Sequence, residues 1–286
     1  MIRANAILAG VIFLVLSCGK DPVQDNQIEG LQRVQTHART WAERVGLSAT
    51  TEPDLEGSVR DSTLFDGLLC FSGEDASCEA VKAAQGEDGR FWRSASHVGD
   101  TTDRESFSRD MSLGVLAYLV KTKDTAAASK WIQYIDATGR LCPEGDGSNC
   151  GMTVVTWSMF YHVWRYLGLT PTQKMEVNKN WQNTLAVISL PSSGFGKHLI
   201  GVEVLILEAT GEEKVHTSFS LAALGENNPF YNYLYGDMQK AADLTIRWCP
   251  LSMPSQRRDW IWQRDSIIPE HSSGWDCIFM TNLLLR

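Results

Sequence analysis

The sequence predicts an all-α domain built from helical hairpins. Three observations carry this. Apolar runs of helical length alternate with amphipathic ones, the units begin about 45 residues apart, within the range of helical-hairpin repeats, and strand signals are scarce. The first helix of each unit is apolar nearly all round, as in Leu113–Val120 and Gly201–Leu207, whereas the second carries charge on one side, as in Lys130-Trp131-Ile132 and Asn180-Trp181-Gln182. A helix without a polar face must be buried on every side, so an inner layer ringed by amphipathic partners is the expected arrangement.

The elements follow in order. Residues 19–27 are polar and aperiodic and read as a tether. From Ile28 to Val45 apolar residues recur at three- and four-residue steps, the stripe of an amphipathic helix, and Gly46 follows as a C-cap. Residues 48–61 form an acidic connection, and Leu64–Leu69 is a short helix of the inner kind. Phe107–Leu119 and Thr125–Ile135 form one hairpin around the turn Lys121-Thr122-Lys123-Asp124. Met152–Leu167 and Thr172–Ile188 form the next, with Thr170 as N-cap and Pro171 at N1. Leu199–Ala209 and Glu212–Leu224 form a third, and the inner-type helix Trp275–Leu284 closes the chain.

The N-terminus has a separate logic. Met1-Ile2-Arg3 is a short basic start, Ala6–Leu16 is uncharged and apolar, and Val15-Leu16-Ser17-Cys18 ends the run with a small residue before a cysteine. The run has the length of a signal-peptide core and is too short to span a bilayer as a helix. It resembles the lipobox of bacterial lipoproteins. That resemblance implies a signal peptide over residues 1–17, lipidation of Cys18, a lipidated tether over 18–27 and a single helical-hairpin domain over 28–286. It also implies attachment to the bacterial cell envelope. Gly19 after the lipidated cysteine favours the outer membrane over the inner, by resemblance to enterobacterial lipoproteins.

The net charge is −8, and loss of Arg3 with the leader makes it one unit more negative. No basic stripe interrupts this acidity, so nucleic acid is not an expected partner. The partners expected are the membrane, through the anchor, and a polysaccharide. Six cysteines remain after Cys18, and an even number in an exported chain favours disulfides. Cys70 with Cys78 and Cys142 with Cys150 enclose turn-rich loops, which leaves Cys249 with Cys277. Their spacing lacks the C-x-x-C or histidine pattern of zinc sites. Glu144-Gly-Asp146-Gly-Ser-Asn149 lacks the length and closing glutamate of a calcium loop and reads as a disulfide-closed turn. No metal and no cofactor is expected.

The hairpin spacing and inner/outer polarity resemble the (α/α) toroid of the six-hairpin glycosidase and polysaccharide-lyase superfamily, over roughly Asp61–Arg286. An open arc or incomplete ring satisfies the same pattern. The resemblance implies a carbohydrate polymer as substrate and a site at the mouth where loops lead into inner helices. Polar residues at those points are Asp66, Arg109, Asp110, Thr153, Thr156, Lys197, His198 and Asp276.

Glycosidic cleavage needs one protonated and one ionised carboxyl. A helix N-terminus suits the ionised form, which favours Asp110 in that role, with Asp66 or Asp276 as the acid, kept neutral beside Phe65 or Trp275. All three acids equally suit a structural role at helix starts. Arg109 offers a planar fork for an acidic sugar or a structural ion pair. Of the ten tryptophans, Trp131, Trp157, Trp164 and Trp181 lie at packing positions on helices. Trp92, Trp260 and Trp262 lie in loops, where a sugar ring stacks or a core is filled.

Glu203 stands alone in an apolar helix and needs a partner or a wet cavity. The expected activity is that of a surface-anchored, glycoside hydrolase-like protein acting on a polysaccharide. A lyase using Tyr161 or His162 as base is a variant of it, and a non-catalytic glycan- or envelope-binding lipoprotein is the alternative.

Overall fold

The computed structural model describes residues 23–44, 62–180, 194–212, 227–249 and 274–286. Among them the fold is all-α, joined by turns, a 3-10 turn at Ala95–His97 and two isolated β-bridges. The helices are α1 Asp25–Arg44, α2 Ser62–Ser72, α3 Asp75–Ala83, α4 Arg109–Thr122, α5 Thr125–Thr138, α6 Val154–Tyr166, α7 Gln173–Asn178, α8 Gly194–Ala209, α9 Pro229–Tyr235, α10 Met238–Trp248 and α11 Gly274–Leu284. No helix of the described residues is long and apolar enough to cross a membrane. Cys18 and the leader lie outside the described residues.

Burial separates two kinds of helix, as the polarity pattern requires. Every residue of α2 is buried, and so is the whole of α4 from Met111 to Val120. In α5 only Ala127, Ala128, Trp131 and Ile135 are buried, the single stripe of an outer helix. The short helix α9 is inner in character, and α10 is again striped. Successive helices pair as hairpins, α2 with α3, α4 with α5, α6 with α7 and α9 with α10. The apolar helices also meet one another: α2 packs on α4, α4 and α6 on α8, α8 on α9, and α11 on both α9 and α2. The helix α1 lies across α10 and α11.

The contact between α2 and α4 is the most intimate. A Cβ at Gly67 would overlap the Gly114 carbonyl, and a Cβ at Gly114 would overlap the Thr63 carbonyl. The two backbones therefore touch directly, and this is why an otherwise weak helix former stands in the middle of each helix. Trp131 forms the aromatic centre of the α4–α6 region. Phe91, Phe107 and Phe160 surround it at centroid distances of 5.1, 6.3 and 4.7 Å.

Capping fixes where the helices start. Ser108 accepts from the Met111 amide, Asp124 from Ala127, Thr153 from Thr156 and Asp237 from Lys240. The N-cap of α7 is Thr172, which accepts from the Met175 amide, so Thr170 and Pro171 stay in the turn before it. α1 begins at Asp25, inside the segment read as tether, because Gln27 is held by the Gln239 carbonyl and the Asp243 carboxylate of α10. Gln27 is buried by this contact, while Gln24, Asp25 and Asn26 stay exposed.

All three expected disulfides form: Cys70–Cys78, Cys142–Cys150 and Cys249–Cys277. The first joins α2 to α3 and the third joins the end of α10 to the first turn of α11, while the second closes a loop. Cys78 lies on α3, so the turn between the first pair is shorter than the spacing suggests.

Candidate functional site

The first turns of α4, α6 and α8 converge on a cavity of about 280 Å³. Arg109, Asp110 and Ser112 enter from α4, Thr153 and Thr156 from the start of α6, and Gly196 from α8; Leu113, Met159, Leu199 and Ile200 supply apolar wall. The N-caps set this geometry. Ser108 starts α4 one residue before Arg109, and Thr153 starts α6 with its hydroxyl 3.1 Å from the Thr156 amide and 2.8 Å from the Thr156 hydroxyl. Arg109 and Asp110 are thereby placed where unsatisfied N–H groups and the positive dipole end meet the cavity.

Glu203 enters the same cavity from two turns further along α8. It is only partly exposed, and its Oε2 is shut off from solvent without a hydrogen bond among the described residues. Burial, and then the charge of Asp110, push its carboxyl up to about 8. The acid is therefore protonated at neutral pH. The arrangement holds two carboxyl groups, of Asp110 and Glu203, in one polar-mouthed cavity, and burial raises the second of them.

The other expected site residues are placed elsewhere. Asp66 is buried and bonded to Ser77, tying α2 to α3; burial holds its carboxyl well above the usual range against the lowering effect of that bond. Asp276 is fully buried in the first turn of α11, where its Oδ1 accepts from the Cys277 amide at 3.1 Å. Neither lines the cavity.

Trp92 is 4% exposed. The Arg90 guanidinium covers its ring at 3.2 Å from the centroid, so a sugar cannot stack on that face. Trp260 and Trp262 lie outside the described residues. Trp131, Trp157 and Trp164 are buried core residues as expected, and Trp181 is also outside the described residues.

His162 is buried between a carboxylate and a carbonyl. Nδ1 lies 2.8 Å from Glu212 Oε1, and Nε2 donates to the Lys179 carbonyl at 3.1 Å. It does not line the cavity, and neither does Tyr161. His198 is buried between Phe65 and Phe230. No group of three or more histidine, cysteine or acidic side chains among the described residues is placed to hold a metal ion.

Of the expected residues, Arg109 and Asp110 thus share a cavity that Glu203 also lines, while Asp66 and Asp276 lie outside it. The sequence signal for Glu203 was its isolation in an apolar run. Its shared cavity with Asp110 comes from packing of α8 against α4, which no local pattern encodes. Comparison of the chain with protein-family models, curated proteins and solved structures finds no match.

Proposed function

We propose that the chain is a glycoside hydrolase-like enzyme in which Glu203 is the general acid and Asp110 the ionised partner. The supporting observation is the pair itself: one carboxyl pushed up to about 8 lines the same cavity as Asp110, whose charge is the second cause of that rise. In glycosidic cleavage Glu203 gives its proton to the departing oxygen as the bond to the anomeric carbon breaks. Asp110 then either takes a proton from the attacking water or bonds to the anomeric carbon itself, and the anomer released distinguishes the two. Arg109, half-buried at the same wall, orients the substrate. The engagement of His162 with Glu212 and Lys179 favours hydrolysis over a lyase reaction that uses it as base.

The toroid remains part of this reading. The succession of inner-helix contacts from α2 through α4, α8 and α9 to α11, which returns to α2, supports a hairpin ring with the cavity at one mouth. So does the leader for the proposed location. Three disulfides suit an oxidising compartment, in keeping with an exported protein held at the envelope through lipid on Cys18. The test is incubation of the purified chain with a panel of polysaccharides, measuring new reducing ends. Cleavage of one polymer that Glu203→Gln and Asp110→Asn each abolish supports the reading. Cleavage indifferent to both substitutions, or none across the panel, contradicts it and leaves a glycan-binding role.

A further inference from the structure

A second pocket, of about 420 Å³, lies between the loop at residues 100–106 and the loop closed by Cys142–Cys150. Its size falls in the range of small-molecule sites. Its wall includes Arg90, whose side chain is 4% exposed. The guanidinium lies on Trp92, and one Tyr134 contact meets it. Its Nε and Nη1 have no hydrogen-bond partner among the described residues, and the nearest carboxylate oxygen, on Asp88, is 3.9 Å from Nε. Buried N–H groups of a cation left without an acceptor are costly.

Two carboxylates of the wall, Asp100 and Asp146, are held by hydrogen bonds from neighbouring residues. Asp100 accepts from the amide and hydroxyl of Thr102 at 3.0 and 2.6 Å. Asp146 accepts from the Ser106 amide and hydroxyl and from the Ser148 amide. Asp103 is paired with Arg93 at 3.4 Å, and Glu144 stands exposed at the rim.

This mixture selects the class of ligand. A free anion would meet Arg90 but also four carboxylates. A metal ion would meet the carboxylates but also the cations of Arg90 and Arg104, which both line the pocket. A neutral molecule with adjacent hydroxyls satisfies both, because each hydroxyl donates to a carboxylate and accepts from a guanidinium.

We propose that this pocket is a binding subsite for a neutral sugar ring. Ser106 lines it, and Arg109 lines the cavity of Asp110 and Glu203. Three residues of chain span at most about 10 Å, a separation that an oligosaccharide of a few rings bridges. The subsite therefore holds a distal ring of the same polymer, and this assignment rests on the carbohydrate reading of the first cavity.

Calorimetric titration of the full chain with cellotriose, xylotriose and mannotriose, and separately with calcium and with sulfate, tests it. The expected result is binding of at least one trisaccharide. The double variant Asp100→Asn, Glu144→Gln, altered at the pocket rim, should weaken it by tenfold or more. Absence of trisaccharide binding, equal binding by the double variant, or binding of calcium or sulfate that the double variant loses would each overturn it. Polymer cleavage with trisaccharide binding unaffected by the double variant removes the subsite alone. Trisaccharide binding lost in the double variant without any polymer cleavage removes the enzymatic reading alone.

Discussion

Asp110, in the first turn of α4, and Glu203, within α8, open onto one cavity, and the charge of the first helps hold the proton on the second. Sequence places these residues 93 positions apart; a packing contact between two apolar helices makes them a pair.

The pair predicts a pH–rate profile. Activity should fall on the alkaline side as Glu203 loses its proton near pH 8. In Asp110→Glu, which keeps the negative charge while displacing the carboxylate, the alkaline limb should stay within about one unit of wild type while kcat falls roughly tenfold or more. Reducing-end kinetics between pH 5 and 10 measure both. An alkaline limb unchanged in Glu203→Asp would assign it to another group.

Stability should follow the same proton. A carboxyl raised from 4.5 to about 8 by folding binds its proton more tightly in the native state. Stability from this group is thus fully present below pH 4.5 and declines as pH rises through 8. Glu203→Gln removes that decline. At pH 9 the variant should be more stable than wild type by about 2–3 kcal/mol. A native midpoint somewhat below 8 would give this smaller value, and the full shift would give roughly 5 kcal/mol. Urea unfolding at pH 5 and pH 9 checks it; a variant no more stable at pH 9 than at pH 5, relative to wild type, contradicts the assignment.

The crossing of α2 and α4 predicts a steric defect. Gly114→Ala places a methyl group against backbone carbonyls, which cannot rotate away. The helices must separate, at a cost of about 2–3 kcal/mol, despite the better helix propensity of alanine. Thermal unfolding of Gly114→Ala beside Gly139→Ala separates this from backbone strain. Gly139 has a positive φ of 76° and open space around it, so its loss should cost about 1 kcal/mol.

The disulfides predict unequal losses. In the loop-entropy view, replacing Cys70 and Cys78 by serine, over a separation of 8 residues, costs about 2.5 kcal/mol. Replacing Cys249 and Cys277, over 28 residues, costs about 3.5 kcal/mol. Denaturant midpoints of the two double variants give the order; a reversed order would place the stabilisation in native packing instead of the unfolded chain.

Much of the fold was legible because inner and outer helices differ in composition. The charge-free run Leu113–Val120 is buried throughout, and the stripe around Trp131 faces the core on one side. Three cysteine pairings followed from spacing and exclusion. Helices α9 and α10, 7 and 11 residues long with Gly236 between them, show no long apolar run in sequence. α3 was hidden because Ser72-Gly73-Glu74-Asp75 reads as a turn, although the helix begins at its last residue.

The site was half legible. Arg109 and Asp110 are marked by their place behind the N-cap Ser108. Asp276 shares the first-turn position, whereas Asp66 lies in the second turn of α2 and not at its start; both helices are enclosed, and Asp66 bonds to Ser77 while Asp276 bonds to the Cys277 amide. Position along a helix is local information, whereas access to a cavity depends on which helix lies opposite. For Trp92 the deciding feature was Arg90, two residues away, folding back over the ring.

The most direct measurement is a carbon-13 NMR titration of the Glu203 carboxyl in wild type and in Asp110→Asn. Wild type should titrate near pH 8, and the midpoint should drop when the neighbouring charge is removed while staying above 4.5, because burial is the larger cause. A wild-type midpoint near 4.5, or one that Asp110→Asn leaves unmoved, would contradict the pairing of these two acids.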